Sequence, residues 1–464
     1  MVVGNVPEAA DLVVAGAGPG GYEAALLAAA AGRKVTLVDP LGEAGIGGVC
    51  LDVGCIPSKM LIEAADLHHR ARTGERFGLS ASGLAPFSLA RFQTWRQETV
   101  TGLRAGVVSR LRSAGVEICP GTVTLTEPRV VVIDAPGDRA RFLQFNSLVL
   151  ATGSRPTPLP GLAFDGERVL DSTGVLALTE LPASLAVVGG GYIGLELGIA
   201  FAKLGSAVTL IEAEDRLLPN MDPGLARPVG QRLRELGVDT LTGSPVEGLG
   251  EHGLRVGGEA TREIDAEKIL VAIGRTPNTD RLGLEVVSPA LDHGLLRVGP
   301  DRRISERIAA LGDITPGPAL AHKASAEAAV AVEALGGGRA AFEPAAIPAI
   351  VFSDPEIACA GLGLEEARAA GIPARAARVP LAASGRAATL GQRHGFTQVV
   401  YAEHGGDVLG VQIASPHASE LVAEAVLAIE MGARVEDLAL TIHPHPTFSE
   451  QLMAAARRTG PGKG

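Results

Sequence analysis

Cys50 and Cys55 stand five positions apart in the segment Gly47-Gly48-Val49-Cys50-Leu51-Asp52-Val53-Gly54-Cys55-Ile56-Pro57-Ser58-Lys59. A thiol pair can cycle between dithiol and disulfide and so carry two electrons. Five residues of regular helix rise about 7.5 Å, beyond the roughly 4.4–6.8 Å between the Cα atoms of a disulfide, so closing the bond needs a local distortion. Gly54 can supply it, and Pro57 is tolerated if the regular helix begins just there. Near a helix N-terminus the dipole favours thiolate, and Lys59 adds positive charge one turn beyond Cys55. The spacing alone also fits two buried reduced thiols with Lys59 on the surface. A zinc site lacks a second cysteine pair to complete four ligands. Cys119 and Cys359 sit singly in apolar surroundings and read as small core residues.

Dithiol oxidation releases protons, which calls for a base, and histidine has the side-chain pKa suited to that work. His443-Pro444-His445-Pro446-Thr447-Phe448-Ser449-Glu450 precedes a helical run near the C-terminal end. His445 is a candidate base and Glu450 a candidate to orient its ring. Thr447 and Glu450 equally make a T-x-x-E capping box for the last helix. Spacing does not choose His445 over His443, His322 or His417.

The elements that must position these groups occur in two similar copies. Residues 11–39 run from an apolar strand into Gly16-x-Gly18-x-x-Gly21, an alanine-rich helix, a turn at Gly32 and a second strand ending in Asp39. Residues 185–212 repeat the plan with Gly189, Gly191, Gly194, a turn at Gly205 and Glu212. In both copies the turn glycine follows the first glycine by 16 residues and the acid by 23. Strand, glycine turn, helix, strand and acid in this order predict dinucleotide binding, the pyrophosphate near the helix amides and each acid on an adenosine ribose. Glu212 would repel a ribose 2'-phosphate, and no Arg cluster follows it at once, so NAD is expected over NADP. Two further strands break at Gly153 and Gly274 and read as exits from nucleotide-binding sheets. Asp313 ends another short strand, where it can hold cofactor hydroxyls or simply form a turn.

The chain has 464 residues, too long for one compact core. Its 52 acidic and 41 basic side chains give a net charge of -11 without a dense basic block, which argues against a nucleic-acid partner. The start MVVGNVPEAADLVVAG shows no basic leader, and no stretch approaches the roughly 20 apolar residues of a membrane span, so a cytoplasmic protein is expected. The fold expected is α/β: two Rossmann-like dinucleotide-binding domains (1–154 and 155–276), a small central domain (277–345) and a C-terminal α+β domain (346–464).

Over essentially its whole length the chain resembles the flavoprotein pyridine nucleotide-disulfide oxidoreductases of class I. GGVCLDVGCIPSK is similar to the family's redox-active segment, GGGYIGLELG to its NAD motif and HPHPTFSE to its C-terminal active-site motif. The resemblance implies one FAD per subunit, with Gly16, Gly18, Gly21, Asp39, Gly153 and Asp313 around it, and NAD on Gly189, Gly191, Gly194, Glu212 and Gly274. It makes Cys50 the thiol that meets substrate and Cys55 the thiolate against FAD. Lys59 would approach the flavin and pair with Glu196, and Tyr192 would shield the nicotinamide side. His445 would be the base, Glu450 its partner, with a cis bond before Pro446. The C-terminal domain would form a homodimer in which His445 of one subunit serves Cys50 of the other.

Within the family the resemblance points to NAD-dependent oxidation of dihydrolipoyl groups in 2-oxoacid dehydrogenase or glycine-cleavage complexes. The partners implied are lipoyl domains and a core acyltransferase, or a lipoylated carrier protein. The alternative is an NAD(P)H-dependent reductase of another small disulfide. Glu212 speaks against the NADPH-linked branch, and the tail RRTGPGKG lacks the terminal cysteine pair of the mercury-reducing branch. Asp52 stands where asparagine is common and puts another negative charge near the thiols.

Overall fold

The run Leu12–Ala15 is apolar on both faces, as a strand must be when helices cover it on either side, and it is fully buried. In the computed structural model, which describes residues 6–459 apart from 136, 138, 259 and 260, this run lies in the strand Glu8–Ala15 at the middle of the first sheet. The expectation about a basic leader is read partly on residues 1–5 and that about the tail mostly on 460–464, and those stretches lie outside the described residues. Strand Glu8–Ala15 pairs in parallel with Val35–Asp39 on one side and Arg141–Leu150 on the other. Glu117–Pro120 extends the sheet beyond Val35–Asp39, and the antiparallel strands Thr122–Glu127 and Val130–Asp134 fold back onto Arg141–Leu150.

The second glycine-rich copy builds a second parallel sheet in the order Asp239–Leu241, Ala207–Ile211, Ser184–Val188, Lys268–Val271, Val169–Leu170. Val187 sits in register between Leu210 and Leu270, and all three are completely buried. A short antiparallel pair, Ser154–Pro156 with Arg275–Pro277, joins the segments that leave the two sheets.

The stretch 277–345 makes a separate two-stranded sheet, Leu291–Asp292 with Leu295–Leu296, and a second antiparallel pair, Arg303–Ser305 with Ile308–Ala310. Its strand Ile308–Ala310 pairs in parallel with Leu148–Leu150 and so belongs to the first sheet. Helix Ala321–Leu335 lies on helix Pro19–Ala30, with Ala24, Ala28, Ala328 and Ala331 buried between them. Small side chains let the two helices approach closely.

The last part is a five-stranded antiparallel sheet in the order Ala349–Val351, Ile357–Gly361, Val408–Ala414, Phe396–Ala402, Ala374–Pro380. Helices Ala418–Glu430 and Glu450–Ala456 pack on it. The edge strand Ala374–Pro380 has no apolar run to announce it: its sequence ARAARVP buries only Ala374, Ala377 and Val379. Among the described residues no helix is long and apolar enough to cross a membrane.

Candidate active site

Each glycine turn is built the same way. Gly16 and Gly189 have φ of +100° and +111°, and a Cβ at either would fall 2.4 or 2.5 Å from a carbonyl oxygen of the neighbouring strand exit, Ala151 or Ala272. Gly21 and Gly194 are excluded from carrying a side chain by the carbonyls of Gly16 and Gly189, at 1.8 and 2.0 Å. The middle glycines, Gly18 and Gly191, face open space instead. Each is the N-cap of its helix, with no side chain capping the first amides, so N–H groups remain free for an anion. The acid at the end of the second strand holds the turn in both copies: Asp39 Oδ2 accepts from Ala17 N at 3.2 Å and Glu212 Oε2 from Gly190 N at 2.6 Å. Burial pushes the Asp39 carboxyl up from its usual range.

A cavity of about 550 Å3 starts at Gly16, Gly18 and Asp39 and runs to Cys50, Cys55 and Lys59. Gly153, Asp313, Tyr192 and Glu196 also line it. The redox segment reaches it as two helices, Gly48–Asp52 with Cys50 and Cys55–Arg72 with Cys55, broken at Val53 and Gly54. A Cβ at Gly54 would lie 2.7 Å from Val49 O, so the break depends on glycine. At Gly48 (φ +57°) a Cβ would fall 2.7 Å from Gly18 Cα, because the redox helix starts directly against the nucleotide turn.

The structure holds Cys50 and Cys55 as free thiols beside one another. The Cys50 S–H is donated to Cys55, which with burial pushes Cys50 well up. That hydrogen bond, helped by the Lys59 charge, brings Cys55 down to about 7. The two sulfurs are thus made unequal, one poised as thiolate and the other kept as thiol. Lys59 Nζ lies 2.8 Å from Glu196 Oε2, and Glu196 is only 3% exposed. The other Glu196 oxygen accepts from Phe352 N at 3.0 Å, and the Phe352 ring lies under Lys59 Nζ at 4.5 Å. Asp52 is held by Arg104 at 2.5 Å, which neutralises the charge it brings near the thiols.

At the far wall Asp313 Oδ2 accepts from Ser154 Oγ at 2.5 Å, and Ser154 Oγ accepts from Arg275 Nε at 2.7 Å. Gly153 lines the cavity, whereas Gly274 does not and leaves that to its neighbour Arg275. Gly189, Gly191, Gly194 and Glu212 also lie outside it, around the second turn. Tyr192, the first residue of the second helix, stands on the cavity wall and is 42% exposed, so it faces the cavity on the side of the second nucleotide unit.

His445 and Glu450 are away from this cavity. His445 Nδ1 is 2.9 Å from Glu450 Oε1, the His445 side chain is 78% exposed, and the His445-Pro446 bond is cis. The Thr447 N–H, donated to Glu450 Oε2 at 2.8 Å, and then the His445 ring hold the Glu450 carboxyl below its usual range. Half of the expected capping box is therefore formed, while Thr447 Oγ1 turns to Pro444 O instead of the helix amides. His443 is bound to Glu424 at 3.0 Å with a largely covered side chain, which leaves His445 as the exposed ring of the two. Leu440 and Ile442, just before His443 in the chain, are strongly exposed. Sequence reasoning missed Phe352 and Arg104, which carry no motif and reach the site only through long-range folding, and it passed over Ser154 and Arg275, which directly follow the strand-exit glycines Gly153 and Gly274.

Two parallel nucleotide-binding sheets, a thiol pair at the end of the first cavity and an antiparallel C-terminal sheet define a pyridine nucleotide-linked disulfide oxidoreductase. The chain belongs to the pyridine nucleotide-disulphide oxidoreductase family, whose model matches residues 10–328, and it carries that family's dimerisation domain over 347–456. It is 44% identical to a dihydrolipoyl dehydrogenase of Geobacillus stearothermophilus over 98% of this chain and 97% of the relative. A dihydrolipoyl dehydrogenase of Halobacterium salinarum is 43% identical with the same coverage. Among solved structures, LpdA from Mycobacterium tuberculosis superposes with a TM-score of 0.88 at 30% identity, covering 97% of this chain and 99% of that one. The HOCl-induced flavoprotein disulfide reductase RclA from Escherichia coli gives 0.84 at 26% identity, covering 97% and 100%.

Proposed function

We propose that the protein is a dihydrolipoyl dehydrogenase: it oxidises dihydrolipoyl groups to the cyclic disulfide and passes the electrons through the Cys50–Cys55 pair and FAD to NAD. The observation that carries this reading is the single cavity that begins at an uncapped helix N-terminus and Asp39 and ends at a thiolate-forming cysteine. Gly18 leaves room there for a pyrophosphate, and Gly18 and Cys55 line the same cavity, as a flavin dinucleotide reaching from one to the other would need. Bound FAD supplies two-electron transfer between sulfur and a nicotinamide.

The chain's own groups do the rest. Asp39 and Asp313 bind hydroxyls of the cofactor, and Gly153 lets it pass the wall. Gly189, Gly191, Gly194 and Glu212 bind NAD, with Gly274 at the edge of that site and Tyr192 between nicotinamide and cavity. His445 of the partner subunit, oriented by Glu450, takes a proton from a dihydrolipoyl thiol. The resulting thiolate attacks Cys50 of the oxidised pair, and Cys55 leaves as a thiolate stabilised by Lys59. The second substrate thiol then displaces Cys50, which leaves with the proton held by His445 while the second thiol's proton passes to that ring; the lipoyl ring closes and the enzyme is left with Cys50 as thiol and Cys55 as thiolate. Glu196 holds Lys59 in place.

The enzyme works as a homodimer, completed at each site by the partner's C-terminal domain. It serves lipoyl domains around the core acyltransferase of a 2-oxoacid dehydrogenase complex, or a lipoylated carrier protein, in the cytoplasm. The test is to give the FAD-loaded protein dihydrolipoamide or glutathione with NAD and follow NADH by absorbance. Rapid NADH formation with dihydrolipoamide and none with Cys50→Ser is expected. Turnover with glutathione alone, or undiminished turnover in Cys50→Ser, would sink the assignment.

A further inference from the structure

Behind the turn Gly312–Ile314 lies a group of charged side chains that the chemistry above does not use. Glu327 is 0% exposed, and Lys323, one turn earlier on helix Ala321–Leu335, is nearly as buried. Lys323 Nζ is 3.1 Å from Glu327 Oε1, and Arg302 Nη1 is 2.8 Å from the same oxygen. Two cations share one carboxylate inside the protein. Taking such charges from water is unfavourable, and a packed apolar group would often be at least as stable. The cluster therefore calls for a role other than holding two elements together.

That role is visible at Gly312. Its N–H donates to Glu327 Oε2 at 2.7 Å, and its carbonyl accepts from Thr315 Oγ1 at 2.9 Å and from Lys323 Nζ at 3.1 Å. Thr315 Oγ1 also accepts from Lys323 Nζ at 3.1 Å. Both polar groups of this one residue are thus gripped by the buried cluster. Gly312 has φ +77°, and the next residue, Asp313, presents its carboxylate to the cavity wall. Arg302 itself has φ +64°, a conformation unfavourable for a residue with a side chain, which the fold accepts while delivering its guanidinium to Glu327.

We propose that Arg302, Lys323, Glu327 and Thr315 are positioning residues for the cofactor: by fixing Gly312 from behind they set the aim of Asp313 into the cavity. The inference rests on the FAD reading above. None of the four lines the cavity, so their effect passes through Asp313.

The experiment measures FAD retention by the purified holoenzyme, read as fluorescence of flavin released on dilution, with far-UV circular dichroism as the check on folding. Thr315→Val removes one hydroxyl with little change of shape, and Lys323→Met removes one charge. Each is expected to raise the FAD Kd about tenfold. Asp313→Asn should raise it too, and the double variant Thr315→Val/Asp313→Asn should be little worse than Asp313→Asn alone, because one residue acts through the other. Wild-type FAD affinity in folded Thr315→Val, or fully additive losses in the double variant, would overturn the proposal. Should Lys323→Met fail to fold, Thr315→Val still decides. A wild-type chain that binds no FAD would overturn the functional reading and this inference together, whereas FAD-binding wild type with unaffected variants overturns the inference alone.

Discussion

Lys59 meets Glu196 at 2.8 Å across the junction between the cysteine helix and the helix of the second nucleotide unit. The two charges act on Cys55 with opposite sign, Lys59 lowering its pKa and Glu196 raising it. Lys59→Met should therefore move the Cys55 titration upward, and Glu196→Gln should move it downward. Thiolate ultraviolet absorbance against pH in the reduced enzyme separates the two. Lys59→Met also strands a buried carboxylate, so denaturant unfolding should show a loss of about 1–3 kcal/mol. Equal shifts of one sign would contradict the arrangement.

The hydrogen bond from Cys50 is the largest influence on Cys55. Cys50→Ser keeps a donor and should leave the titration near neutrality, whereas Cys50→Ala should carry it up towards an ordinary thiol. Because the folded-state pKa of Cys55 is depressed to about 7, the stabilisation it contributes is present above the unfolded thiol pKa and lost as pH falls through about 7. Unfolding free energies of the reduced wild type and Cys50→Ala, compared on either side of neutrality, should diverge on the alkaline side only.

Gly54 is required by the carbonyl of Val49. Gly54→Ala should force the two helices apart and destabilise the protein by about 1–3 kcal/mol. The thermal midpoint reports the loss, and quantification of free thiols after mild oxidation should show slower pairing of Cys50 with Cys55. Wild-type pairing in a folded Gly54→Ala protein would show that the break in the helix has another cause.

Glu212 accepts from Gly190 N and Glu214 N and is the residue we propose to hold the adenosine ribose of NAD. Glu212→Ala should raise the KM for NAD about tenfold, or ~1.4 kcal/mol, with a smaller change for NADP. Steady-state kinetics with both nucleotides check this. An unchanged ratio would remove Glu212 from the specificity.

His445 is exposed and outside the cavity that holds Cys50. Homodimers of Cys50→Ser and of His445→Gln should each lose roughly a hundredfold or more in kcat. Mixing the two and allowing subunits to exchange should restore turnover, since a mixed dimer assembles one site with both residues. Failure of exchanged dimers to recover activity would place the base elsewhere.

The parts of the fold and site that could be read in advance are those set by short stretches of chain. The glycine turns, their acids and the cysteine segment are each specified within about forty residues, and local geometry leaves few alternatives. Even the helix break at Gly54 follows from five-residue spacing and the reach of a disulfide. The contacts that tune the site come from far along the chain: Phe352 is 156 positions from Glu196, and Ser154 is 159 from Asp313. Nothing in the residues around Phe352 marks its backbone N–H as a partner for a carboxylate. The edge strand Ala374–Pro380 was equally hidden, because its arginines and alanines give no strand-like alternation of apolar and polar residues. The segment 277–345 was harder still: a three-residue strand, Ile308–Ala310, has no sheet it must join until Leu148–Leu150 is in place.

Gly18 and Gly48 touch with no side chain on either one. Two motifs thirty positions apart therefore meet backbone to backbone: a side chain at Gly48 would run into Gly18 Cα, and no residue smaller than glycine exists at position 18 to make room for it, so a change at Gly48 has no compensating change open to it during descent.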